Sequence, residues 1–136
     1  GTLSGNPVAV AAGRATLGVL KNSSIYQDLE ERTAEFEDGV VRAAEKHGVP
    51  IQFNRVGSMW TLFFTESPVT DFESANKSNR EKFARFFHIM LAEGVYLPPS
   101  QLEAAFFSAA HAKKDILQLI QRHDRVLKKV AWEFEK

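Results

Sequence analysis

The segment from Ile51 to Phe64 sets the tightest limit on the fold. Ile51, Phe53 and Val56 alternate with Gln52, Asn54 and Arg55, and after Gly57 and Ser58 an apolar run extends from Met59 to Phe64. Alternation with period two marks a strand buried on one face, and a glycine break between two such runs marks an antiparallel pair joined by a tight turn or bulge. The rest of the chain is mostly helical in pattern, so any sheet must be small and must borrow its covering layer from helices.

Asn6 before Pro7 is a helix start, with the asparagine as N-cap and proline where its missing N–H costs nothing. The run from Val8 to Leu20 is apolar on most sides, which predicts a helix packed between other elements. A second helix begins near Ser23 or Ser24. Ile25, Leu29, Phe36, Val40 and Ala44 supply its apolar stripe, and Gly48 ends it after Lys46 and His47. Phe83, Phe86, Phe87, Met90 and Leu91 form the stripe of a third helix ending at Gly94, and Lys113 to Glu135 forms a long amphipathic closing helix. Pro68 takes the chain out of the sheet, Asp71 to Asn79 reads as a short helix or loop, and Thr65 to Asn79 is the stretch long enough to be mobile. Tyr96 to Ser100, with Pro98 and Pro99, is an extended connector, and Glu103 to Ser108 reads as a short returning strand. The expected fold class is α+β, a small antiparallel sheet with helices packed on one face.

At 136 residues the chain is long enough for one domain with a real core. Seventeen basic and seventeen acidic side chains cancel, which argues against a nucleic-acid partner. There is no cysteine, hence no disulfide framework, thiolate metal site or cysteine nucleophile, as suits a reducing compartment. No apolar run reaches membrane-spanning length and no basic lead-in marks a signal peptide, so a soluble domain is expected.

The standard nucleotide, zinc-helix and serine-elbow signatures are absent from the sequence. His47, His88, His111 and His123 stand apart and are read as structural or solvated, the phenylalanine stripe as core, and the basic residues of the last helix as a solvated face. Two features carry chemical potential. Gly1 and Thr2, just upstream of a helix start, offer small residues, free N–H groups and a hydroxyl for an anion, or else a plain capping turn. Glu103, a carboxylate in an apolar run, is either a site residue or an ordinary edge-strand glutamate.

Three segments, Gly1 to Pro7, Val56 to Thr65 and Gly94 to Ala104, resemble in order and spacing the C-terminal third of the glutamate-1-semialdehyde 2,1-aminomutase family. These are pyridoxal-phosphate homodimers of the class III aminotransferase type, of fold type I, which convert glutamate-1-semialdehyde to 5-aminolevulinate for tetrapyrrole synthesis in the cytoplasm. The resemblance implies that Thr2, with Gly1, reaches the cofactor phosphate of the other subunit. It also implies that Glu103 faces the substrate, where related transaminases carry an arginine. Trp60 departs from the phenylalanine expected after Met59, at a position that looks like strand packing.

The family's Schiff-base lysine lies upstream in its large domain, and none of Lys21, Lys46, Lys77 or Lys82 matches its context. The chain is accordingly expected to be inactive alone, with no catalytic residue and no metal site of its own, and the Gly1 start is read as a cut before an interface loop. Residues 1–22 are expected to be that loop and a connecting helix from the large domain, and residues 23–136 the small domain. The expected partners are the large domain, a second subunit and a small-molecule substrate. Two alternatives remain: another class III transaminase, and a non-catalytic structural or interaction remnant of the fold.

Overall fold

The computed structural model describes residues 1–134, with side chains through Ala131. Its elements follow in the order α1 (Pro7–Leu20), α2 (Ser23–Lys46), β1 (Gln52–Val56), β2 (Met59–Phe63), α3 (Phe72–Asn76), α4 (Arg80–Ala92), β3 (Ala105–Phe106) and α5 (Lys113–Phe134). Glu135, expected in the last helix, and the side chain of Phe134 lie outside the described residues.

The three strands form one antiparallel sheet in the order β1-β2-β3. Val56 pairs with Met59 across the two-residue turn at Gly57 and Ser58, and Gly57 has φ +58. A glycine supplies that left-handed conformation without a Cβ clash. Register puts Phe53 beside Leu62 and Arg55 beside Trp60 on the inner face. Trp60 is 5% exposed and stacks on Phe53 at 5.5 Å between ring centroids, so the residue that departs from the family pattern is a core element of the sheet.

The inner face meets α2, α4 and α5. Phe36 of α2 sits at the centre, fully buried, with the rings of Phe53, Trp60, Phe107 and His123 around it. Gly39 lets α5 come close: a Cβ there would lie 2.7 Å from Ile120 Cγ2. In α4 the buried residues are Phe83, Phe86, Ile89 and Met90. The stripe is thus turned slightly from the expected one, leaving Phe87 half-buried and Leu91 45% exposed. Gly94, at φ +79, ends the helix with Val95 N–H donating to Met90 O at 2.9 Å, a six-to-one closure.

Three expectations are corrected. α1 has the anticipated cap and ends, yet none of its fourteen residues is buried, because no other element among the described residues packs over its apolar surface. The returning strand is two residues long rather than six, pairing only with Met59 and Trp60. A turn stabilised by Ser100, which accepts from Leu102 N–H through Oγ, keeps Glu103 out of the sheet. The stretch from Thr65 to Asn79, read as mobile, is held by Val69 and Ala75 packed with Phe63, by a capping box at Asp71 and Ser74, and by Asn79 N–H donating to Phe64 O at 2.9 Å.

Candidate functional site

Gly1 and Thr2 lie in an exposed turn ahead of α1. Ser4 N–H donates to Gly1 O at 3.0 Å and Asn6 N–H to Leu3 O at 3.1 Å. The Asn6 side chain accepts from Val8 N–H at 3.0 Å and Ala9 N–H at 3.3 Å. The cap therefore occupies the first donors of α1, and an anion at this end would be held by the turn's own N–H groups and the Thr2 hydroxyl rather than by the helix. The Thr2 hydroxyl makes no hydrogen bond among the described residues, and a Cβ at Gly1 would meet nothing within 4 Å, so the backbone is open to close approach.

Glu103 is exposed on the turn between the Pro98–Pro99 connector and β3, its N–H donating to Ser100 O at 3.1 Å. It lines a cavity of about 750 Å³ between the connector, β3 and α5. That volume is within the range of small-molecule sites. Tyr96, Phe107, Ile116 and Leu119 give the cavity apolar walls, and Asp115 and Arg122 add charge from α5. Because Glu103 faces this open space, its charge stays hydrated and carries no burial cost. Gly1 and Thr2 do not line the cavity, so within one copy of the chain the two predicted features are not brought together.

Sequence reasoning missed Asp115 and Arg122. They recur at helical spacing at the edge of the α5 apolar stripe, a place where solvated charges and cavity-lining charges have the same pattern. Asp115 Oδ2 accepts from Ala112 N–H at 2.8 Å and so also caps the start of α5. Two further charges of that helix are paired on a solvated face: Lys129 and Arg125 donate to Glu93 at 2.9 Å and 3.1 Å, and these two donors hold its carboxyl below the usual range.

Each histidine has a place in the fold. His47 Nε2 lies 2.8 Å from Asp124 Oδ1, His111 Nδ1 accepts from Ser108 N–H at 3.0 Å, and His88 touches the Phe87 ring. His123 is fully buried among Phe36, Trp60 and Phe86, and burial pushes its pKa down to about 4. Among the described residues no group of three His, Asp or Glu side chains is arranged to hold a metal ion. No helix among them is long and apolar enough to cross a membrane.

No protein-family model matches the chain. Curated relatives do. A glutamate-1-semialdehyde 2,1-aminomutase of Natranaerobius thermophilus is 50% identical over 131 residues, covering 96% of this chain and 30% of the relative. The aminomutase of Persephonella marina is 47% identical over 130 residues, with the same coverage. The chain thus spans about 30% of the length of the curated relatives it matches. Among solved structures, a glutamate-1-semialdehyde-aminomutase of Pseudomonas aeruginosa in complex with PMP superposes at a TM-score of 0.74, with 25% identity, over 96% of this chain and 28% of that one. An omega-transaminase of Sphaerobacter thermophilus superposes at 0.77 with 17% identity, over 93% of this chain and 28% of that one, a likeness of fold.

Proposed function

We propose that this chain, similar over 96% of its length to one portion of glutamate-1-semialdehyde 2,1-aminomutases, acts as the small domain of a pyridoxal-phosphate aminomutase making 5-aminolevulinate for tetrapyrrole synthesis in the cytoplasm. The observation that carries the reading is 50% identity across 96% of the chain. Residues 1–22 form the interface loop and connecting helix, and residues 23–136 the small domain. Bound pyridoxal phosphate supplies an electron sink for amino-group chemistry. The protein's own contribution is positional. The Gly1–Thr2 turn, with its open backbone and unengaged hydroxyl, fits a phosphate and would hold the one bound by the second subunit of a homodimer. Glu103, on the cavity wall, would meet the amino-bearing end of the substrate. Neither residue supplies a Schiff-base nucleophile, so the chain depends on a larger catalytic body for turnover.

The test is a graft of this chain in place of the matching 131 residues of the N. thermophilus aminomutase. Thr2→Val in the graft should weaken cofactor retention on dialysis, and unchanged retention refutes the phosphate role. The similarity of fold to the omega-transaminase favours a second reading, in which Glu103 is incidental to a class III transaminase. Glu103→Gln separates the two: a loss of mutase turnover with cofactor retained supports the aminomutase, and unaltered turnover supports the transaminase.

A further inference from the structure

We infer that the cavity between the connector, β3 and α5 is a binding site for a small arylalkyl monocarboxylate, with its carboxylate on Arg122 and its ring against the aromatic wall. The inference goes beyond the aminomutase reading, which uses neither Arg122 nor that wall.

The Arg122 guanidinium is half-buried at the cavity wall and has no hydrogen-bond or ion-pair partner among the described residues. The acceptors around it are already in use. It reaches the end of α4, where a Cβ at Gly94 would lie 3.5 Å from its Nη1. There Ile89 O, Met90 O and Leu91 O accept from the N–H groups of Glu93, Val95 and Gly94 at 2.9, 2.9 and 3.0 Å. The Glu93 carboxylate is held by Arg125 and Lys129, and Asp124 pairs with Lys46 and His47 of the α2 end. Asp115 shares the cavity from about two turns earlier on α5, with its Oδ2 engaged by Ala112 N–H. A guanidinium is a planar fork of donors that matches a carboxylate, and one left unpaired away from bulk water is unfavourable.

The walls decide what the carboxylate is attached to. Trp60 of β2, Tyr96 of the connector and Phe107 beyond β3 line the space, with Ile116 and Leu119 from α5. Flat aromatic walls gain most from a flat apolar ring. At about 750 Å³ the space is larger than a simple inorganic anion fills and suits a small organic molecule. Charge limits the head group. Among the described residues that line the cavity Arg122 is the sole lysine or arginine, whereas Glu103 and Asp115 are both acidic. A second anionic group on the ligand, or a phosphate, would meet two carboxylates without a second cation, so a single carboxylate is what this site can neutralise.

Saturation-transfer NMR with hydrocinnamate as the probe tests this on the graft of the chain into the N. thermophilus aminomutase. The acid should bind, and hydrocinnamamide, which keeps the ring and loses the charge, should bind about tenfold more weakly. Arg122→Gln should weaken binding of the acid by about the same factor and leave the amide unchanged. Arg122→Lys should recover part of the loss, because an ammonium keeps the charge without the fork. The melting temperature of each variant graft should stay within about 2 degrees of the parent, which separates lost recognition from lost folding. Absence of acid binding to the graft overturns the inference, since the cavity is then filled or closed in the longer polypeptide. Equal binding of acid and amide overturns it without recourse to any variant, and so does an Arg122→Gln graft that binds the acid as before. Cofactor retention and mutase turnover play no part in these readings. The aminomutase reading can therefore fail with the site intact, and the site can fail with that reading intact.

Discussion

Replacing His123 with leucine should change how the protein responds to acid. His123 is fully buried, its Nδ1–H donating to Leu119 O at 2.8 Å, while Nε2 has no partner among the described residues and cannot take up a proton without burying a charge. The folded-state pKa is accordingly depressed from 6.5 to about 4. Above pH 6.5 the unfolded chain is also neutral at this site, and the group costs nothing. As pH falls below 6.5 the unfolded state binds a proton that the folded state refuses, so stability declines until the folded histidine titrates near 4. At 1.36 kcal/mol per unit, the loss relative to pH 7 reaches about 2 kcal/mol by pH 5 and about 3 kcal/mol by pH 4.

Carboxylates held low in the fold, Asp71 by Ser74 and Glu93 by Lys129 and Arg125, also lose stability on acidification. The difference between the wild-type chain and His123→Leu cancels them. Urea unfolding of both proteins from pH 7 to pH 4 is the assay, and the wild type should lose the additional 2 to 3 kcal/mol (on the order of) that the variant keeps. Parallel stability profiles would refute the argument, since they would mean that His123 is hydrated or paired in the fold.

Other perturbations follow from the same packing. Phe36→Ala removes the ring that four others surround and should cost about 3 to 5 kcal/mol, read as a fall in the urea midpoint. Gly39→Val should separate α2 from α5 because Ile120 already stands where the new side chain would go, lowering thermal stability by about 1 to 3 kcal/mol. Arg55→Met leaves Glu30 and Glu37 without their shared guanidinium, and a loss of about 1 kcal/mol by chemical denaturation is expected for this partly exposed cluster. Leu17→Asp, on the bare surface of α1, should leave the melting temperature of the 136-residue chain within about a degree.

Where local chemistry decides an element, the sequence could be read directly. Asn6-Pro7, Gly48, Gly57 and Gly94 mark boundaries because capping and positive φ are properties of those residues and their neighbours. What depends on distant partners was not legible. The apolar density of α1 says that something should cover it without saying what, and the described residues supply no cover. The length of β3 is set by how far Met59 and Trp60 extend beside it and by the turn at Ser100, neither of which leaves a mark in the periodicity from Glu103 to Ser108. Glu103 stood out as an odd charge, yet the role proposed for it came from resemblance. Arg122 and Asp115 were hidden among other charges because the cavity they line is formed by a connector far from them in sequence.

The packing of α5 onto α2 also dictates an order of events during synthesis. Lys46 and Asp124, which join the two helices at 3.1 Å, are 78 positions apart. A growing chain can form α2 and the hairpin from neighbouring residues, but His123, Val126 and Leu127, which enclose Phe36 and its neighbours, are made after them. Until then the ring of Phe36 has only part of its enclosure, and contacts across such a separation are slow to form. A chain lacking α5 would therefore leave its apolar interior open to solvent.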